Sequence, residues 1–78
     1  MNSANASKVL YSKDHERLVR RLISARNKAK LSQVEAAKLL GTTQPNISMI
    51  ESGQRKIDAI ELKRMAKIYK QPIHFFFE

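Results

Sequence analysis

Residues 32–52 have the sequence SQVEAAKLLGTTQPNISMIES, and this segment carries the strongest structural signals in the chain. Ser32 begins a Ser-x-x-Glu capping box. In this motif the serine hydroxyl accepts a hydrogen bond from the backbone amide three residues on, and the glutamate side chain accepts one from the serine amide. Thr43 can act as a second N-cap. Pro45 is compatible with a helix that begins there, because the N–H that proline lacks would have no helical acceptor in the first turn. Between these signals, Gly41 suits the left-handed conformation that follows a helix end. The segment therefore predicts two short helices joined by a tight turn.

The apolar residues of this segment give each of the two helices an inner face. We expect Val34, Ala37 and Leu40 to face inward from the first helix, with Ala37 small enough to allow a close crossing. Ile47 and Ile50 are the branched apolar anchors of the second helix. Two short helices with this turn and these anchors are typical of a helix-turn-helix, whose second helix enters the DNA major groove.

Helical periodicity continues on both sides of residues 32–52. From Asp14 one face carries apolar residues at helical spacing: Leu18, Leu22, Ala25 and Ala29. Asp58 and Glu61 form another capping box, before a helix with the inner residues Leu62, Met65, Ala66 and Tyr69. A short turn over residues 73–77 follows, and no strand pattern competes. We predict a compact all-α fold of five short helices over residues 13–78, preceded by a flexible arm over residues 1–12.

Composition limits the classes of partner. Fifteen Lys and Arg against seven Asp and Glu give a net charge of +8 in 78 residues, which attracts polyanions, nucleic acid first. The chain has no cysteine, so disulfides and thiolate metal sites are excluded. His15 and His74 lack further ligands at metal-binding spacing, so we expect no metal and no cofactor. No apolar run approaches the ~18 residues of a membrane span, nor does a signal-peptide core occur, and we expect a cytoplasmic protein without membrane partners.

At this point the sequence resembles a known family. The residues that carry the resemblance are Leu31-Ser32-Gln33, Ala37, Leu39-Leu40-Gly41, Gln44-Pro45-Asn46-Ile47-Ser48 and Ile50-Glu51-Ser52-Gly53. They are similar to the lambda-repressor-like DNA-binding domains, also called Cro/C1-type or XRE-type regulators, over residues 14–77. The resemblance implies a five-helix domain that binds operator DNA as a dimer, usually to repress. One departure is Ala36, where the family usually has leucine, and we expect Val34 and Leu39 to compensate.

The second helix, about residues 44–52, supplies the candidate base contacts: Gln44, Pro45, Asn46, Ser48 and Met49. A glutamine can bond both N6 and N7 of adenine, and Pro45 can touch a thymine methyl group. Ser48 and Met49 lie one turn beyond Gln44 and Pro45 and face outward, although Met49 is equally compatible with a simple solvent-exposed position. Asn46 is placed to reach a base or a phosphate.

Candidate phosphate contacts flank this helix at Gln33, Thr43, Arg55 and Lys56. The family counterpart of Gln33 bonds a phosphate, and a helix N-terminus favours an anion there. The alternative for Arg55 and Lys56 is a pair of solvated loop charges. The resemblance also implies that Arg26 and Glu51 form a structural ion pair, whose disruption costs about 3–5 kcal/mol if the pair is buried.

Three consecutive aromatic residues, Phe75 to Phe77, cannot all face one core, because adjacent helical side chains diverge by ~100°. We expect one or two to close the core and another to be exposed, which marks a possible dimer interface. The leading hypothesis is a transcriptional regulator, most simply a repressor, that binds a palindromic double-stranded DNA operator as a homodimer without a small-molecule effector. The alternative is an antitoxin-like module that binds a protein partner such as a toxin. No catalytic constellation is present, and we expect no enzyme.

Overall fold

A computed structural model describes residues 12–78, which form four α-helices and one 3-10 helix without any β-strand. The elements are α1 (Lys13–Lys28), α2 (Gln33–Leu40), α3 (Gln44–Glu51), α4 (Ala59–Ile68) and the C-terminal 3-10 helix (Ile73–Phe77). The predicted all-α fold is confirmed, with the difference that the fifth helix is of the tighter 3-10 type. The arm expected over residues 1–12 lies outside the described residues except for Ser12, whose side chain caps α1.

The three predicted helix starts are present and are made by local hydrogen bonds. Ser32 Oγ accepts from the Glu35 amide at 3.0 Å while Glu35 Oε1 accepts from the Ser32 amide at 2.8 Å. Hydrogen bonding to the Glu35 carboxylate, first from the Ser32 backbone amide and then from the Ser32 side chain, lowers the pKa of Glu35, because it stabilises the ionised form. Asp58 and Glu61 form the same reciprocal box at the start of α4, and Thr43 caps α3. Each bond satisfies an amide that has no acceptor within its own helix.

The helix ends use positive backbone φ angles. Gly41 follows α2 with φ 72°, and the Arg64 guanidinium of α4 donates to the Leu40 carbonyl at 2.6 Å, which places a cation at the negative end of α2. Lys30 and Lys70, each with φ 61°, take the equivalent position after α1 and α4. A non-glycine residue in this conformation costs roughly 1–2 kcal/mol, so these two turns are less favourable than the Gly41 turn.

The core is built from the inner faces of all five helical elements. Its buried members are Leu22, Ala25, Ala36, Ala37, Leu40, Ile47, Ile50, Leu62, Met65, Ala66, Tyr69 and Phe76. Helix α2 packs on α3 and α4, while α1 packs on α3 and the 3-10 helix. This arrangement leaves one side of α3 facing outward.

The predicted inner face of α2 was partly wrong. Val34 is 51% exposed and Leu39 is 57% exposed, whereas Ala36 is fully buried beside Ala37 and Leu40. At 100° per residue, Ala36, Ala37 and Leu40 define a face whose centre lies about 110° from both Val34 and Leu39. Neither of these two side chains compensates for the small Ala36, because both point away from the core.

The aromatic end of the chain is divided as expected between core and surface. Phe76 is buried, and Phe75 is half-buried with its ring edge-to-face against Phe76 at 5.4 Å between centroids. The Arg21 guanidinium lies 4.8 Å from the Phe75 ring centroid, within range of a cation–π contact. Phe77 remains 67% exposed. The 3-10 helix thus closes the core against α1 and leaves one aromatic side chain outside.

Candidate nucleic-acid interface

Helix α3 has a buried face and an opposite exposed face. Ile47 and Ile50 are buried in the core, which turns Pro45 and Met49 outward. Ser48 is half-buried beside them. The spacing of these side chains follows the helical repeat, so Pro45 and Met49 lie one above the other on the outer face. The exposed face is therefore short, uncharged and partly apolar.

A hydrogen-bond chain of four side chains, Arg26–Glu51–Gln33–Gln44, links the last residue of α3 to its first. Arg26 donates to both carboxylate oxygens of Glu51, from Nε at 2.7 Å and from Nη2 at 3.0 Å. Gln33 Nε2 donates to Glu51 Oε1 at 2.9 Å, and Gln44 Nε2 donates to Gln33 Oε1 at 2.7 Å. The hydrogen-bond chain thus connects the scaffold helix α1 to the first residue of α3.

The charged end of the hydrogen-bond chain is shielded from solvent. The Arg26 and Glu51 side chains are 12% and 5% exposed, and Arg26 Nη1 also donates to the Leu31 carbonyl at 2.8 Å. The hydrogen bond to Glu51 raises the pKa of Arg26, so the guanidinium stays charged. A bidentate pair of this kind holds both partners in one orientation. The ion pair expected from the resemblance is therefore present, and it joins α1 to the end of α3.

Tyr69 lies in the core near this ion pair. Its side chain is 1% exposed, and its hydroxyl makes no hydrogen bond within the part of the chain that the structure describes. Burial, followed by the negative charge of Glu51, raises the Tyr69 pKa to about 12. The phenol is consequently neutral at any physiological pH, with its hydroxyl desolvated but unbonded.

Gln33 and Gln44 were assigned separate contacts in the sequence, and the structure brings their side chains together. The two residues are eleven positions apart, but each stands in the first turn of its helix, and the tight turn at Gly41 brings α2 and α3 together. Both side chains are half-buried. The bond between them was not anticipated, although the repeated pattern of a glutamine just after each N-cap was a usable signal.

Asn46 occupies the other flank of α3. Its Nδ2 donates to Thr42 Oγ1 at 3.0 Å, and its side chain is half-buried. It lines a polar cleft with Arg64 of α4, on the side of α3 away from Gln44. The structure thus holds Asn46 against the turn instead of at the centre of the outer face.

The remaining candidates for phosphate contacts differ in their exposure and in whether they form an ion pair. Arg55 donates to both carboxylate oxygens of Glu61, at 2.9 and 3.4 Å, with about a third of its side chain exposed. Lys56 and Thr43 are exposed. Helix α3 itself contains no Lys or Arg, and its single charge, on Glu51, is paired with Arg26. Positive charge for a polyanion must therefore come from the flanks of α3.

Residues 12–78 contain no group of three or more His, Cys, Asp or Glu side chains placed to hold a metal ion. Of the helices described, none has the length and apolar character needed to cross a membrane. The paired helices α2 and α3 remain the best-defined candidate site.

Comparison with known proteins agrees with this geometry. A family model described as Helix-turn-helix, of the Cro/C1 type, matches residues 22–76, which is well over half of the chain. The match spans α2, α3 and α4 and ends at the buried Phe76. Comparison with curated proteins gave no match. On its sequence and its fold, the chain belongs to the Cro/C1-type helix-turn-helix family of DNA-binding regulators.

Proposed function

We propose that this protein is a sequence-specific repressor of transcription that binds a palindromic operator as a homodimer, with α3 as the recognition helix in the major groove. The observation that carries the proposal is the outer face of α3, which presents Pro45 and Met49 to solvent. Gln44, the first residue of this helix, is hydrogen-bonded to Gln33. A helix in the major groove contacts base edges with its N-terminal residues, and these are the exposed or half-buried positions of α3.

The chemistry of this face favours A·T base pairs. The amide of Gln44 can bond adenine N6 and N7, and Pro45 and Met49 supply apolar contacts for thymine methyl groups. Helix α3 has no Lys or Arg to donate to guanine, and its one carboxylate is buried against Arg26 and unable to accept from cytosine. Ser48 adds a hydroxyl that suits either pair. We infer that the base pairs beneath α3 are predominantly A·T.

Phosphate contacts would come from both flanks of this helix. Gln33 has a second amide hydrogen that is not used by Glu51, and it stands at the N-terminus of α2, where backbone amides favour an anion. Thr43 and Lys56 are exposed and need no rearrangement to reach a phosphate. Arg55 would contact a phosphate while still paired with Glu61, and Asn46 would do so through the Nδ2 hydrogen that Thr42 does not use.

The homodimer proposal rests on exposed apolar side chains of α4 and of the C-terminal 3-10 helix. Ile60, Ile73 and Phe77 are each at least half exposed, and Ile73 and Phe77 line an apolar cavity against α4. In a two-fold dimer the two recognition helices would contact half-sites about one helical turn, ~34 Å, apart. No enzymatic activity, cofactor or small-molecule effector is part of the proposal.

The test is a selection from random double-stranded DNA, followed by fluorescence anisotropy with the selected sequence and a scrambled duplex at several salt concentrations. We expect enrichment of an A·T-rich palindrome and a loss of at least about tenfold in affinity for Gln44→Ala. Gln54→Ala is the matched control, because Gln54 is an exposed glutamine in the loop after α3. Equal binding to both duplexes by the unaltered protein would contradict the proposal.

A second candidate function, an antitoxin-like module, is favoured by the same exposed apolar side chains. If they bind a protein partner such as a toxin instead of a second copy, the purified chain would be monomeric and DNA binding would be secondary. Light scattering on the wild type and on Phe77→Ser distinguishes the two. A dimer that Phe77→Ser converts to monomer supports the homodimer, and a monomeric wild type supports the module.

A further inference from the structure

We propose that Glu51 sets the base preference of Gln44 by fixing which way round the amides of Gln33 and Gln44 lie. Glu51 would then be a positioning residue that acts on DNA through two other side chains without contacting it. The proposal rests on the proposed function, because it concerns how the recognition helix distinguishes adenine from guanine.

The Glu51 carboxylate restricts which group of Gln33 can face it. An ionised carboxylate can only accept hydrogen bonds, and that of Glu51 is paired bidentately with Arg26, which can only donate, with 5% of the Glu51 side chain exposed. Whatever group of Gln33 meets Glu51 must therefore be a donor. The structure has Gln33 Nε2 there, at 2.9 Å.

The orientation of the Gln33 amide in turn determines that of the Gln44 amide. With its nitrogen turned to Glu51, Gln33 has its carbonyl oxygen turned to Gln44, and that oxygen accepts from Gln44 Nε2 at 2.7 Å. Gln44 is then left with one N–H and its carbonyl oxygen unused. One donor beside one acceptor matches adenine, which presents the N7 acceptor and the N6 donor.

The opposite orientation of the Gln44 amide would present different hydrogen-bonding groups to the DNA. A glutamine amide turns about a broad, roughly two-fold terminal torsion, so an unconstrained Gln44 has access to both orientations. Reversed, Gln44 would accept from Gln33 and present two N–H donors. Guanine offers two acceptors, N7 and O6, and suits that arrangement better than adenine does. The direction of the hydrogen-bond chain therefore decides between the two purines.

Glu51→Gln tests this directly, because it replaces a group that can only accept by an amide that offers both an acceptor and a donor, with almost no change in shape. Gln33 already shares Glu51 Oε1 with Arg26, so it could meet the new amide with either its nitrogen or its oxygen. Gln44 would then no longer be held in one orientation. The measurement is the ratio of Kd values for duplexes with guanine or adenine at the base that Gln44 contacts, located as the position where Gln44→Ala loses discrimination.

We expect the wild type to prefer adenine by about tenfold or more, and Glu51→Gln to reduce that preference below about threefold or change it to guanine. Glu35→Gln is the matched control: it makes the same charge change in the first turn of α2, where glutamine preserves the capping box, and it should leave the ratio unchanged. Circular dichroism establishes that each variant is folded.

Gln33→Leu keeps the test decisive if Glu51→Gln does not fold, since it interrupts the hydrogen-bond chain while leaving the ion pair intact. Its affinity should fall for both duplexes through the lost phosphate contact, and its adenine preference should fall as well. An unchanged preference in a folded Glu51→Gln, or in Gln33→Leu, overturns the proposal, because Glu51 would then be purely structural. A wild type without any base preference would instead overturn the proposed function.

Discussion

Removal of Arg26 alone should be among the most damaging single changes in this protein. Arg26→Met leaves the Glu51 carboxylate, whose side chain is 5% exposed, without its cationic partner. Breaking one side of a buried ion pair costs about 3–5 kcal/mol. At about 0.05–0.15 kcal/mol per residue, a chain of 78 residues has a free energy of unfolding of roughly 4–12 kcal/mol. The variant should therefore lose about a quarter or more of its stability.

The measurement is urea denaturation followed by circular dichroism, with a thermal melt in which Tm should fall by at least about 12 °C. The matched variant is Arg26→Met with Glu51→Leu, which removes both charges and fills the site with apolar side chains of similar volume. It should recover to within about 2 kcal/mol of the wild type, since the penalty comes from the uncompensated charge. A loss under about 1 kcal/mol for Arg26→Met, or a double variant as unstable as the single one, would refute this reasoning.

Three further predictions concern stability and base contacts. Tyr69→Phe should raise stability at pH 7 by about 1 kcal/mol, because it removes a buried hydroxyl without a hydrogen bond. Since folding raises the Tyr69 pKa to about 12, the folded state holds this proton more tightly, and wild-type stability should fall as pH rises from about 10 towards 12, a loss that denaturation of Tyr69→Phe should lack. Lys70→Gly should stabilise the turn after α4 by about 0.5–1 kcal/mol in urea melts, whereas Lys63→Gly within α4 should destabilise by a similar amount. Replacing operator thymines by uracil should weaken wild-type binding, measured by anisotropy, more than that of Met49→Ala, in which only Pro45 is left to contact the methyl groups; equal losses in both would contradict the Met49 contact.

Several features of the fold were predictable because they depend on residues close together in the chain. The capping boxes at Ser32 and Asp58, the cap at Thr43 and the turn at Gly41 each involve a few consecutive residues. Such signals act before any tertiary contact forms, so their chemistry is visible in the sequence. The inward direction of Ile47 followed from helical periodicity for the same reason.

Other features depended on how the helices pack and were missed or left open. The inner face of α2 contains Ala36 and excludes Val34, because the neighbours of an eight-residue helix determine which of two adjacent faces is covered. Likewise, the three consecutive phenylalanines gave no reason to single out Phe76. Its burial follows from where the 3-10 helix meets α1.

The candidate site shows the same division most clearly. Local pattern and family resemblance placed Gln33, Gln44, Arg26 and Glu51 near the recognition helix. The hydrogen-bond chain that joins these four side chains, and its direction from Gln44 to Glu51, became visible only with the helices assembled. Arg26 and Glu51 are 25 positions apart, so their contact depends on the packing of α1 against α3, which no short-range signal in the chain specifies.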